Sequence, residues 1–114
     1  MSIPVLKIPA KGYIKQGDTI PKVTVKFSDG YNGDLTTATI KMQIYHVNTK
    51  IIDVSNGDGI TVIDSGEFEI DEMPKNNLPV GTILGDLEVT ESNGDRTTYF
   101  NVAYTIIKQY TRSV

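Results

Sequence analysis

Residues 82–107 read TILGDLEVTESNGDRTTYFNVAYTII, and this stretch decides the fold. It holds two runs of alternating apolar and polar residues, separated by Asn93-Gly94. Asn-Gly is the preferred pair for the centre of a type I′ turn, in which both residues take positive φ. The stretch therefore predicts a β-hairpin.

A two-residue turn also predicts the register of the two strands. A slip of one residue would place Leu87 and Phe100 on opposite faces, so turn chemistry and hydrophobic pattern select one register. The predicted pairs are Leu87–Phe100, Gly85–Val102, Ile83–Tyr104, Val89–Thr98 and the opposite-charge pair Glu91–Arg96.

The period of two continues through the rest of the chain, where valine, isoleucine, threonine and tyrosine are frequent. Clusters of Gly, Asn, Asp and Ser interrupt it at short intervals, as turns do. No segment has the period of an amphipathic helix. Strands are predicted near residues 4–8, 12–15, 21–28, 38–47, 50–54, 60–63, 66–71, 82–92 and 96–107.

Many short strands with one apolar face predict an all-β fold, an immunoglobulin-like antiparallel β-sandwich of about 7–9 strands. A small barrel is the alternative. The chain has 114 residues and no cysteine, so its core must stabilise it without disulfides. We expect residues 1–11 to form an N-terminal extended segment and residues 12–114 a single β-sandwich domain.

Charge and hydropathy argue against nucleic-acid and membrane partners. The 11 basic and 14 acidic residues give a net charge of −3, and the lysines and arginines are scattered singly. A groove for phosphate backbones needs clustered basic residues. No run approaches the roughly 20 apolar residues of a membrane span, and the amino terminus lacks a secretory signal pattern. We expect synthesis in the cytoplasm.

Residue chemistry offers no catalytic, cofactor or metal site. His46 is the single histidine and is predicted to lie at the surface. Residues 53–59 resemble a calcium loop, but Val54 and Ser65 occupy its two anchoring positions, so a turn is predicted. The carboxylate pairs Glu67/Glu69 and Asp86/Glu88 belong to solvated strand faces opposite the apolar, core-facing side, so they are not expected to form a catalytic acid/base pair.

Two further features carry predictions. Tyr45 and Tyr99 fall on the polar faces of their strands and are the tyrosines best placed to bind a sugar or a protein. Gln16-Gly17-Asp18-Thr19 has no reactive partner in the sequence and is predicted to be a corner before a strand.

The order of the turn motifs is similar to that of a known family. The motifs are Gln16-Gly17-Asp18-Thr19, Asp29-Gly30, Asp34-Leu35-Thr36-Thr37-Ala38, Ile63-Asp64-Ser65-Gly66-Glu67-Phe68, Pro79-Val80-Gly81-Thr82 and Asn93-Gly94-Asp95. In this order they resemble the amino-terminal immunoglobulin-like domain of tailed-phage baseplate upper proteins, over roughly residues 12 to 107. That domain typically shows a QGDT, a DLTGA-like strand entry and a D-x-x-G turn before an aromatic-bearing strand.

The resemblance implies a virion structural or adaptor protein that is not an enzyme and has no cofactor. It implies a baseplate or tail component assembled in the bacterial host cytoplasm, with other virion or baseplate proteins as partners and a homo-oligomer as the expected state. Baseplate upper proteins continue into a long carboxy-terminal part, so this chain is expected to be an isolated domain or a small stand-alone member.

Two alternatives stay open beside the baseplate role. The first is a carbohydrate-binding or adhesin-type module. The second is a head-decoration or fibre-attachment protein. Sheet edges and the N-terminal segment 1–11 are the expected contact surfaces, because an unpaired strand edge can pair with another chain.

Overall fold

The computed structural model describes residues 4–27 and 31–108. The predicted turn Ser28-Asp29-Gly30 and Tyr110 lie outside these ranges. The described residues form no helix, and the all-β prediction is confirmed. The strands are β1 (Val5–Ile8), β2 (Ile14–Lys15), β3 (Val23–Lys26), β4 (Thr39–His46), β5 (Thr49–Asn56), β6 (Gly59–Asp64), β7 (Glu67–Ile70), β8 (Gly81–Thr90) and β9 (Arg96–Ile107).

The strands join in the order β1-β9-β8-β4-β5-β6-β7-β3, and β2 also pairs with β9. The path narrows between β5 and β6, where two residue pairs join the strands. Here the sheet curls, so that β3, β6 and β7 lie across the core from the longer strands, as in a sandwich. The sheet is mixed, because β1 and β2 run parallel to β9 and β5 runs parallel to β6.

Alternating side chains from the two parts of the curled sheet, the longer strands on one side and β3, β6 and β7 on the other, fill one core. Aromatic contacts connect these two parts of the sheet. The ring centroid of Phe27, just after β3, lies 6.0 Å from that of Phe68 in β7 and 5.9 Å from that of Phe100 in β9. Each fully buried aliphatic or phenylalanine side chain contributes about 1.5–3 kcal/mol to folding. The fully buried members include Ile40, Met42, Ile44, Leu87, Val89, Val102, Ile60 and Phe68.

The β8–β9 hairpin has the predicted register far from its turn and a different one near it. Leu87 pairs with Phe100 and Gly85 with Val102, as predicted, but Thr90 pairs with Arg96. A bulge at Leu87/Glu88 causes this shift of one residue.

The turn of this hairpin therefore differs from the predicted type I′ turn. The Gly94 amide donates to the Glu91 carbonyl at 2.9 Å, and Gly94 takes a positive φ of 96° while Asn93 does not. This is a three-residue loop with glycine in the left-handed position. The predicted ion pair changes with it, because Arg96 Nε lies 3.6 Å from Glu88 Oε1 rather than facing Glu91.

Residues 16–19 form the predicted corner, and a buried asparagine holds it. Gly17 has a φ of 93°, which favours glycine. Asn76, only 6% exposed, donates from Nδ2 to the Lys15 carbonyl at 2.9 Å and the Asp18 carbonyl at 2.6 Å. The corner is thereby fixed to the loop before β8, and it serves the fold.

Tyr104 in β9 supports a prediction about alkaline stability. It is fully buried, and its hydroxyl has no hydrogen-bond partner among the described residues. Burial raises the pKa of Tyr104 above its ordinary value near 10. Above that pH the unfolded chain releases a proton that the folded protein keeps, so stability is full below about pH 10 and falls as pH rises.

We expect Tyr104→Phe to raise the free energy of unfolding by about 1 kcal/mol at neutral pH, since it removes an unsatisfied buried hydroxyl. It should also reduce the loss of stability above about pH 10. Urea melts at neutral pH and about pH 11 measure both effects, with the exposed Tyr13→Phe as the control. A Tyr104→Phe protein that is less stable at both pH values would contradict the prediction.

Candidate functional site

A cleft of about 1040 Å³ lies at one end of the fold, between the β8–β9 turn and the segment that leads into β4. Its described lining carries four aromatic rings, one lysine and three carboxylates. These are Phe27, Tyr31, Tyr99, Phe100, Lys26, Asp34, Glu91 and Asp95. The volume suits a small ligand or a peptide segment.

Glu91 connects the two walls of the cleft. The Tyr31 hydroxyl donates to Glu91 Oε2 at 2.7 Å, and the Asp34 amide donates to Oε1 at 3.3 Å. Gly33 fits between these groups, because a Cβ there would collide with the Tyr31 hydroxyl and Glu91 Oε2. Burial and the hydrogen bond to Glu91 raise the pKa of Tyr31, so the phenol stays protonated and remains a donor.

The aromatic wall depends on the bulge in β9. Phe27 packs edge-to-face on Tyr31 with ring centroids 4.6 Å apart, and lies 4.8 Å from Tyr99. Tyr99 and Phe100 are consecutive, yet both contact Phe27. In a regular strand consecutive side chains point to opposite faces, so the irregular step is what brings both rings to one wall. Tyr99, predicted to lie on a polar face, is instead half-buried here.

Asp34 and Asp95 present carboxylates beside the rings. Asp34 Oδ1 accepts hydrogen bonds from the Thr36 amide at 3.0 Å and the Thr36 hydroxyl at 2.6 Å. These bonds lower the pKa of Asp34, so it is ionised at neutral pH. With the rings, these acceptors can bind hydroxyl or cationic groups of a ligand.

A second surface, which we call the outer patch, comprises Tyr45 and Leu84 on the outer face of β4 and β8, together with Val47 in the turn after β4. Tyr45 pairs directly with Leu84 across the two strands, and they are 45% and 59% exposed. Val47, 81% exposed, lies two residues further along, in the turn between β4 and β5. The prediction that Tyr45 lies on an exposed face is confirmed.

Val47 has an unfavourable backbone conformation. Its φ is 48°, and that of Asn48 is 67°, as in a type I′ turn. The left-handed region suits glycine and asparagine, whereas a β-branched residue there is an outlier. The chain therefore holds a strained, exposed valine where asparagine would fit better.

The other candidate residues named from the sequence lie apart from one another in the structure. His46 is exposed at the end of β4. Glu69 forms an ion pair with Lys22 at 3.1 Å. In the segment that resembles a calcium loop, the Asn56 side chain instead binds the start of β4 and the residue before it. It accepts from the Ile40 amide at 2.6 Å and donates to the Ala38 carbonyl at 2.9 Å.

Residues 4–27 and 31–108 include no helical segment that could span a lipid bilayer. Within the same ranges, no three His, Cys, Asp or Glu side chains lie together as a metal site requires. No protein-family model matches the chain, and no curated protein matches it in sequence.

Proposed function

We propose that the protein is a structural or adaptor component of a tailed-phage virion, in the baseplate or tail, and that it acts by binding neighbouring virion proteins. The order of the turn motifs along the sequence supports this role. The outer patch is the observation that carries the docking mechanism. The net charge of −3 favours a protein partner over the phosphates of a nucleic acid.

The outer patch has the properties of a small interaction hot spot. Tyr45 and Leu84 lie exposed side by side, and Val47 is exposed in the adjoining turn. Aromatic anchors dominate the energetics of protein interfaces. Val47 adds an independent argument, because it costs stability in the free protein. A residue that lowers stability while exposing apolar surface is consistent with selection for binding rather than for folding.

The substitution Val47→Asn separates the effect of Val47 on stability from its effect on binding. We expect the purified variant to be more stable by about 1 kcal/mol, because asparagine tolerates positive φ. That gain corresponds to a melting temperature higher by about 4 °C or more. In virions produced with the variant, we expect several-fold fewer copies of the protein per particle.

The matched control is Val80→Asn, which changes an exposed valine outside the patch. It should leave incorporation unchanged. Val47→Asn virions that carry the normal number of copies would contradict the docking role of the patch, whatever the stability of the variant.

The virion assignment itself is tested by mass spectrometry of purified particles. We expect the protein in gradient-purified virions at a fixed ratio to the other tail proteins, and immunogold labelling should locate it at the baseplate or tail. Labelling of the capsid or fibres would favour a head-decoration or fibre-attachment protein instead. Absence of the protein from purified particles would overturn the proposal.

The cleft favours a second candidate function, carbohydrate binding. Aromatic rings beside carboxylate acceptors suit the apolar faces and hydroxyl groups of a sugar. An NMR titration tests it: saccharides from the host cell surface are added to the protein, and the chemical shifts of the Tyr31, Tyr99 and Thr97 amides are monitored. Shifts confined to the cleft and lost in Tyr99→Ala would support it, and unchanged spectra would exclude those sugars.

A further inference from the structure

We propose that β1 is an exchangeable strand, and that at high local concentration Val5–Ile8 of one copy pairs with β9 of a second copy. Reciprocal exchange gives a dimer closed by two β1–β9 pairings. The proposal needs only a second copy of this chain, so it does not depend on the virion assignment.

The position of β1 in the sheet is the first argument. It lies at the end of the strand order and, among the described strands, pairs with β9 alone. The pairing is parallel, with Val5 opposite Asn101 and Ile8 opposite Tyr104. No tight turn connects parallel neighbours, so β1 reaches its place from the far end of the chain.

The groove that β1 occupies is the second argument. Ile8 is 2% exposed and Leu6 is half-buried against the core, while the Asn101 amide donates to the Pro4 carbonyl at 3.0 Å. Without β1, the edge of β9 would expose unpaired backbone groups and a gap in the core. Every copy therefore needs a β1, and the β1 of a second copy supplies identical contacts.

The tether between β1 and β2 is the third argument. It comprises residues 9–13, and residues 10–12 are exposed and make no hydrogen bond within the described chain. Extended, such a tether spans up to roughly 20 Å. Tyr13, the last residue of the tether, is 57% exposed, so little packing holds this end in place.

Concentration decides between the two arrangements. The tether presents β1 to its own β9 at an effective concentration in the millimolar range, about that of a short flexible linker. Dilute protein therefore stays monomeric. Exchange becomes competitive when chains fold together at similar concentrations, as within an assembling particle.

Disulfide mapping tests the exchange directly, because the chain has no cysteine of its own. Val5→Cys is placed in an isotope-labelled chain and Asn101→Cys in an unlabelled one. Parallel neighbours lie about 4.8 Å apart between Cα atoms, within disulfide reach. The two chains are unfolded together, refolded at about 1 mM, oxidised and analysed by mass spectrometry.

We expect a mixed 5–101 disulfide at least several-fold more abundant than in a control that pairs Val5→Cys with Thr97→Cys, a β9 position that β1 does not reach. The excess should vanish when refolding is done after a thousandfold dilution. The pair Lys7→Cys and Ala103→Cys repeats the test two residues further along the two strands.

Double-cysteine chains, Val5→Cys with Asn101→Cys and Lys7→Cys with Ala103→Cys, verify that each pair closes within one monomer. The proposal is overturned if those chains close internally while both mixed pairs remain at the control level at 1 mM. Dimers that form without a 5–101 or 7–103 link would overturn it equally. Neither result bears on whether the protein is found in virions.

Discussion

Replacing Gly85 with alanine is expected to destabilise the protein by about 3 kcal/mol or more, at the upper end of what overpacking costs. Gly85 lies in β8 opposite Ile44 of β4. A Cβ at this position would lie 2.7 Å from the Ile44 Cα and even closer to the Gln43 carbonyl oxygen. Because these are backbone atoms, no rotamer change relieves the collision, and β4 and β8 must separate.

Gly66→Ala is the matched control for this experiment. Gly66 lies in the turn between β6 and β7, and a Cβ there meets nothing within 4 Å. Urea unfolding should show a large fall in the midpoint for Gly85→Ala and almost none for Gly66→Ala. Similar midpoints for the two variants would show that β4 and β8 tolerate a wider spacing than their geometry indicates.

Asn76→Ala should lower the free energy of unfolding by about 2–4 kcal/mol, because it removes the donor for two carbonyls in a buried site. The Lys15 carbonyl loses its bond to Asn76, and the Asp18 carbonyl loses the shorter of two bonds. The Leu78 amide also loses its acceptor, Asn76 Oδ1 at 3.3 Å. The melting temperature should fall by roughly 10 °C or more.

The neighbouring Asn77 provides the control, since it is exposed and has the same side chain. Asn77→Ala should change the melting temperature by no more than about 2 °C, as surface substitutions do. Amide hydrogen exchange gives a second readout, because Asn76→Ala should lower protection at Gly17 and Ile20, whose amides donate to the 73–76 loop. An Asn76→Ala protein as stable as Asn77→Ala would refute the role of this side chain.

The β8–β9 hairpin shows what local sequence determines and what it does not. The alternation around Leu87 and Phe100 predicted that these two residues pair across the strands, and the structure agrees. The Asn93-Gly94 pair suits both a two-residue loop and a three-residue loop with glycine in the left-handed position. The choice depends on packing Tyr99 against Phe27, a contact between distant segments that a local pattern does not contain.

The burial of Asn76 and the position of the cleft could not be predicted either, because both depend on contacts between segments distant in sequence. Asn76 lies in a polar loop, and its burial follows from the corner at residues 16–19, about 60 residues away in sequence. The cleft walls come from three separate segments that the curled sheet brings together. Val47 shows a further limit, because the sequence predicted a strand over 38–47, whereas Val47 lies in the turn after β4 with a positive φ.

The placement of β9 also has a consequence for how the protein is made. This strand lies between β8 and β1 and also pairs with β2, yet it follows all of them in the chain. A ribosome therefore synthesises the other eight strands of the described chain before β9, with which three of them pair. Folding must wait for the end of β9, and high contact order makes it slow once it starts. Until then the nascent chain exposes unpaired strands, which is when chaperones would protect it from aggregation.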